Sequence, residues 1–141
     1  MSYNDELAST LRSINDTVSK MSMRHENEDC SEANERVRQK LKRGYLVTYF
    51  ARGENGEILT FRTDKNTSNR VYYHTVCITR VGHLKLVIDL TKKDVQIMNY
   101  MAYITYLKGL NGWNMDLYVC RGDVGQDYMF KTGVIPNSRK C

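Results

Sequence analysis

The chain has one proline, one tryptophan and three histidines among 141 residues, and each scarcity removes a class of reading. A lone proline beside ten tyrosines excludes a proline-rich linker or a disordered, low-complexity chain. The histidines, His25, His74 and His83, leave little material for histidine-based catalysis or a histidine-rich metal site. No uncharged apolar run approaches the roughly 18 residues of a membrane span. The N-terminus opens with Asn4, Asp5 and Glu6 where an export signal would be basic and then apolar. The expectation is an intracellular, cytoplasmic protein that does not enter a membrane. Cys30, Cys77, Cys120 and Cys141 form no CxxC or zinc-type spacing, so free thiols are expected, with neither metal nor cofactor.

Recognisable catalytic motifs are also missing. No glycine-rich loop joins a strand to a helix, since Gly53, Gly56, Gly122 and Gly125 fall at turns. Carboxylates are scattered over separate segments. Asn15-Asp16-Thr17 and Asn66-Thr67-Ser68 match the glycosylation sequon, and Arg121-Gly122-Asp123 spells an adhesion tripeptide. Without an export signal these read as a helix face, a loop and a turn.

What is present is an ordinary globular composition, 41% apolar and 26% charged, with a net charge of +5. Residues 1–43 hold eight Lys/Arg and eight Asp/Glu, and residues 44–141 hold thirteen and eight, so the surplus lies in the second part. Such an excess permits nucleic-acid binding without requiring it. The bias to Asn, Tyr, Met and Lys suits an accessory protein of a virus or phage.

Leu7, Leu11, Ile14, Val18 and Met21 recur at helical spacing and predict a first helix with a narrow apolar stripe. The stripe suits either packing on its own domain or self-association, although two heptads fall short of a coiled coil. A polar linker follows over 22–30. Ser31 then predicts the cap of a second helix running to about Arg43, with Ala33, Val37 and Leu41 inward and Gly44 as its stop. Its acids come early and its bases late, which the helix dipole alone explains; a solvated face is the favoured reading of the basic end, and contact with phosphate is the alternative.

From Tyr45 the apolar period changes to two. Segments 45–52 and 57–63 flank Asn55-Gly56, a strong hairpin signal, and a two-residue turn there places Phe50 opposite Phe61 with Leu46 and Leu59 on the same face. Segments 70–80 and 83–90 predict a second hairpin around Val81-Gly82, with His74 opposite Asp89 and a core face of Tyr73, Thr75, Cys77, Leu86, Ile88 and Leu90. Thr91 and Asp94 resemble the start of a helix over 92–108, carrying Ile97, Tyr100, Met101, Ile104 and Leu107. Strands over 113–121 and 126–132 complete an ααββββαββ order.

The expected fold class is therefore α+β: an antiparallel sheet of two hairpins backed by a central helix, with two N-terminal helices and a C-terminal hairpin. It is read as one folded unit, made of a helical segment (1–43), an α+β core (44–136) and a short tail (137–141). The predicted hairpins put Tyr45, Tyr49, Arg62, Tyr72, Arg80 and Lys85 on the second sheet face, beside His74 and His83. Aromatic rings stack on unpaired bases and cations hold phosphates, so this face, if open, predicts a non-catalytic binder of single-stranded nucleic acid. The alternative is a regulator or inhibitor that binds a protein partner, with Leu7, Leu11, Ile14, Val18 and Met21 available for a homo-oligomer. An unrecognised enzyme is a third reading. His74 with Asp89 is the only candidate acid–base pair, and it has no nucleophile on its face.

Overall fold

A computed structural model describes residues 2–22, 28–66, 68–91, 94–113 and 116–121, with 118–121 followed by their backbone. Helix α1 (Tyr3–Val18) is capped by the Ser2 hydroxyl, which accepts the Asp5 N–H, and Asp5 and Glu6 complement the dipole of its first turn. Helix α2 (Cys30–Leu41) is capped by Asp29, two residues before the expected Ser31. The Asp29 carboxylate accepts the Glu32 N–H at 2.9 Å, and Lys42 ends the helix in a left-handed conformation.

Strand β1 (Tyr45–Arg52) turns back into the short β2 (Ile58–Leu59) through a looser loop than expected. The Gly53 N–H donates to Glu57 O, the Gly56 N–H donates to Gly53 O, and Gly56 has φ +77°. This is a three-residue loop closed by a bulge. It pairs Arg52 with Ile58 and Ala51 with Leu59, a one-residue slip from the expected register. Every side chain of the second arm therefore changes face. Phe61 joins Tyr49 and Ala51 on one side of the sheet, whereas Phe50 joins Cys30 and Tyr73 on the other.

In the second hairpin, β3 (His74–Val81) and β4 (Leu84–Leu90) turn at Gly82-His83, one residue later than predicted. Gly82 has φ +60°, which a primed turn needs at its first central residue. Val81 pairs with Leu84 and Arg80 with Lys85. The register moves by two, so His74 is no longer directly opposite Asp89, yet both keep their face.

The expected helix over 92–108 is replaced by two elements. The Thr91 N–H donates to Asp94 O, and Thr91 Oγ1 accepts the Asp94 N–H, so the residues that resemble a helix cap instead close a turn. Strand β5 (Val95–Asn99) then pairs with β4, and α3 (Tyr100–Asn111) begins where Asn99 Oδ1 accepts the Met101 N–H. Strand β6 (Asp116–Arg121) returns antiparallel along β1. The strand predicted over 126–132 lies outside the described residues.

Val47 to Tyr49 are paired on both sides, with β3 and with β6, so β1 is interior, and β3, β4 and β5 extend the sheet as a meander. The α+β class and the helix–helix–strands–helix–strand order agree with expectation, but the layering does not. The face carrying Cys77, Leu86, Ile88 and Leu90 is backed by α1 and α2 through Ile14, Val18, Ala33 and Val37. Helix α3 instead covers the second face, where Tyr103 and Leu107 meet Val47, Tyr49, Val76, Ile78 and Val87. With both faces covered, β3 and β4 are buried along most of their length.

One polar residue joins the layers. Asn34 of α2 is fully buried; its Nδ2 donates to Thr75 O and to Cys30 O, each at 3.0 Å, and its Oδ1 accepts the Leu90 N–H at 2.9 Å. The β3–β4 ladder stops at Cys77–Ile88, and continued by two residues it would pair Thr75 with Leu90. The Asn34 amide thus lies between two strands where a direct ladder bond would otherwise form. Replacing Asn34 with alanine leaves the Thr75 carbonyl and Leu90 N–H unpaired, an expected loss of about 2 to 4 kcal/mol in urea unfolding. A loss below about 1 kcal/mol would show that the strands re-pair directly.

Candidate functional site

The six residues expected on an open aromatic and basic face do not form one surface. Tyr49 is fully buried beneath α3, its ring centroid 5.7 Å from that of Tyr103, and burial raises its hydroxyl pKa. Tyr45 is half-buried against the same core. Lys85 places Nζ 3.9 Å from the Tyr100 ring centroid, a cation–π contact within the fold, and its cross-strand partner Arg80 is exposed. Arg62 lies at the other end of the core, where its N–H and C=O bond the Asn111 side chain at 2.6 and 2.7 Å. Tyr72 packs beside Phe50, Tyr73 and Cys30, a cluster on the α2 side. The apolar stripe of α1 is likewise engaged within the chain: Ile14 and Val18 are buried, and Leu7, Leu11 and Met21 pack against the same core.

The acid–base pair anticipated from the second hairpin is present, and it is sealed. His74 Nε2 lies 2.8 Å from Asp89 Oδ2, and the Tyr103 hydroxyl donates to the same oxygen at 3.4 Å. Side-chain exposure is 7% for His74 and 1% for Asp89, too little for a substrate to reach either. Tyr49 lies opposite His74 across β1–β3, and Gln96 lies opposite Asp89 across β4–β5. The pair therefore sits in a polar seam between the sheet and α3. Among the described residues, none bonds the buried His74 Nδ1, Asp89 Oδ1 and Gln96 Oε1 there. Thr75 and Cys77 face the opposite side: the Thr75 hydroxyl meets that of Thr48 at 2.9 Å, and burial pushes the Cys77 thiol up to about 12. Neither can act with His74 as an activated nucleophile.

A polar concavity lies elsewhere, between α1 and α2. This groove of about 940 Å³ is lined by Ser9, Arg12, Ser13, Asp16 and Thr17 of α1, by Lys20, Met21 and Ser22 just beyond its end, and by Arg36 and Lys40 of α2. Arg36 is held by Glu28, its Nε 2.6 Å from Oε2, and also donates to Ser22 O at 2.7 Å. Helical spacing builds much of the groove: Arg12 and Asp16 are four residues apart on α1, as are Arg36 and Lys40 on α2, so each pair lines one side of its helix, and Lys20 follows just past the end of α1. Sequence reasoning explained the bases of α2 by the dipole and did not pair them with those of α1. The repeat of Ser9, Ser13 and Thr17 beside Arg12, Asp16 and Lys20 was the available signal.

Among the described residues, no group of three or more His, Cys, Asp or Glu side chains is arranged to hold a metal, and no helix is long and apolar enough to cross a membrane. The expectation of free thiols holds for Cys77 and fails for Cys30, which is disulfide-bonded. No family model, curated protein or solved structure matches the chain.

The seam makes a stability prediction. His74→Leu leaves the Asp89 carboxylate buried with only the long Tyr103 hydrogen bond, and removing one partner of such a pair costs about 3 to 5 kcal/mol. Adding Asp89→Leu removes the stranded charge, so the double variant is expected to be more stable in urea unfolding than the His74→Leu single. Strictly additive losses would show that the two groups are not coupled.

Proposed function

We propose that the protein is a non-catalytic nucleic-acid-binding module that takes a single strand by its phosphate backbone along the groove between α1 and α2. The observation that carries this reading is the composition of the groove: Arg12, Lys20 and Lys40, with Arg36 paired to Glu28, stand beside four hydroxyl-bearing residues, Met21 and the carboxylate of Asp16. Phosphate oxygens are held by this combination of Arg, Lys, Ser and Thr. The net charge of +5 adds a favourable long-range field. Tyr49 is covered by α3, so base stacking on the sheet contributes nothing, and the affinity rests on charge with little sequence preference and strong sensitivity to salt.

A protein-binding regulator or inhibitor is the second reading, and α3 favours it. Among its twelve residues only Lys108 is charged, and Met101 is 66% exposed, with Trp113 just beyond the helix 67% exposed.

Fluorescence anisotropy with labelled single-stranded oligomers, titrated at several salt concentrations, separates the two. The wild type is expected to show a log K that falls linearly with log salt. Lys20→Glu with Lys40→Glu is expected to weaken binding at least about tenfold and to flatten that slope by roughly 0.7 for each phosphate left without its lysine. Lys65→Glu, in the loop between β2 and β3, is the control and is expected to change little. Absence of salt-sensitive binding, or equal effects of the groove and control variants, would replace this reading with the protein-partner one.

A further inference from the structure

We propose that the protein dimerises through strand β5, the free edge of the sheet pairing antiparallel with β5 of a second copy about a two-fold axis at Ile97. The meander ends at β5, whose paired strand among the described residues is β4. The direction of its backbone groups follows from the adjoining turn. The Thr91 N–H donates to Asp94 O, so Thr91 and Asp94 are a hydrogen-bonded pair. Bonded pairs alternate along an antiparallel ladder, which makes Asp89–Gln96 and Val87–Met98 the next two. The N–H and C=O groups of Val95 and Ile97, with the N–H of Asn99, therefore point away from β4, and no described residue bonds them.

A sheet edge left open to water is ordinarily blunted by a charge, a proline or a bulge. Strand β5 has none of these: its five residues are uncharged, its register with β4 runs without interruption, and the one proline of the chain is Pro136. Strand β6, by contrast, carries Asp116 and Arg121. The side chains of β5 are also half-covered. Val95 and Ile97 pack toward the α1–α2 core and Met98 toward the α3 core, and each keeps an exposed part that a neighbouring strand would bury.

Charge complementarity identifies the occupant as a second copy. With the axis at Ile97, Val95 lies opposite the partner's Asn99 and Gln96 opposite the partner's Met98, and the next position outward sets Asp94 opposite the partner's Tyr100. Continuing the β4–β5 register by one residue places Lys85 opposite Tyr100, and Lys85 Nζ indeed lies 3.9 Å from that ring centroid. Opposed residues share a face, so Asp94 of one copy, Tyr100 of the other and its Lys85 form one row. Asp94 is exposed and bonds the Thr91 hydroxyl within its own turn, and no described carboxylate pairs with Lys85. The two-fold axis repeats this carboxylate–ammonium contact at both ends of the interface. It stands perpendicular to the sheet, so the α1–α2 layers of both copies lie on one side. On the nucleic-acid reading, which the dimer itself does not require, the two grooves then face the same way and a single strand can engage both.

Sedimentation of the full chain without nucleic acid, from micromolar to millimolar concentration, tests the assembly, and amide hydrogen exchange locates it. Monomers are expected to convert to dimers, with protection of the Val95 and Ile97 amides rising as they do. Val95→Pro removes an outward donor at the first residue of an edge strand, where proline is tolerated, and is expected to weaken the dimer while circular dichroism shows the fold retained. Asp94→Lys sets like charges against each other and is expected to weaken it at least about tenfold. Adding Lys85→Asp exchanges the two signs and is expected to recover most of that loss, which a role of Asp94 confined to its own turn would not produce. A wild type that stays monomeric throughout, whether its edge is bare or filled by another segment of the chain, would overturn the proposal. So would a dimer indifferent to these variants, or one whose β5 amides exchange as they do in the monomer. If a variant fails to fold, the wild-type sedimentation and exchange decide alone. Because no ligand is present, failure here and failure of the nucleic-acid reading are separate results.

Discussion

The arrangement of this protein depends on one side-chain amide placed where a sheet would otherwise close. Asn34 offers a donor and an acceptor in nearly the geometry of a peptide unit, and it satisfies the Thr75 carbonyl and the Leu90 N–H together. Burying an amide is unfavourable unless its hydrogen bonds are made, and here three are made. That requirement fixes α2 against β3 and β4 in a single position, which apolar packing through Ala33 and Val37 alone would leave free to slide. The ladder ends at Cys77–Ile88, and on the opposite face, at the same level of the sheet, His74 reaches diagonally to Asp89. Two polar devices thus hold the two sides of one interruption.

A sheet covered on both sides changes where function can reside. Aromatic and basic residues that alternate correctly for one open face become core when a helix lies over them, as Tyr49 and His74 do under α3. Accessible charge is carried both by exposed residues such as Lys65, Arg70 and Arg80 and by the helical layer, where α1 and α2 flank a polar groove. The molecule therefore separates its tasks. Its sheet and α3 supply cohesion, and its N-terminal helices present one of its ionic surfaces.

Much of this was legible in the sequence, and the misses share physical causes. Alternation located β1, β3 and β4, and the apolar stripe located α1, because long periodic segments record which side is buried. Turn length was harder to read. At Asn55-Gly56 the added loop residue slipped the register by one and exchanged the faces of Phe61 and Leu59, whereas at Gly82-His83 a shift of two left every face intact. Thr91 and Asp94 carry the same side-chain chemistry in a turn as in a helix cap, so the local signal was ambiguous. Helix α3 is apolar around most of its circumference, which hid its orientation: Tyr103 is buried, while Met101 of the expected stripe is exposed. Asn34 had a readable signature, a polar residue at the same helical face as Cys30, Ala33, Val37 and Leu41, and the groove needed two helices to be considered together.

The Tyr3 hydroxyl at the start of α1 accepts the N–H of His83 in the β3–β4 turn. The rest of that helix packs on side chains from Cys77 to Leu90. During synthesis, α1 meets α2 early but lacks the sheet face it packs on until some eighty further residues have followed it. Neither α1 nor α2 is an Ala-rich sequence able to persist alone in water, so both wait as fluctuating, charged segments while the sheet assembles. The order in which the chain is made is thereby opposite to the order in which its layers are completed.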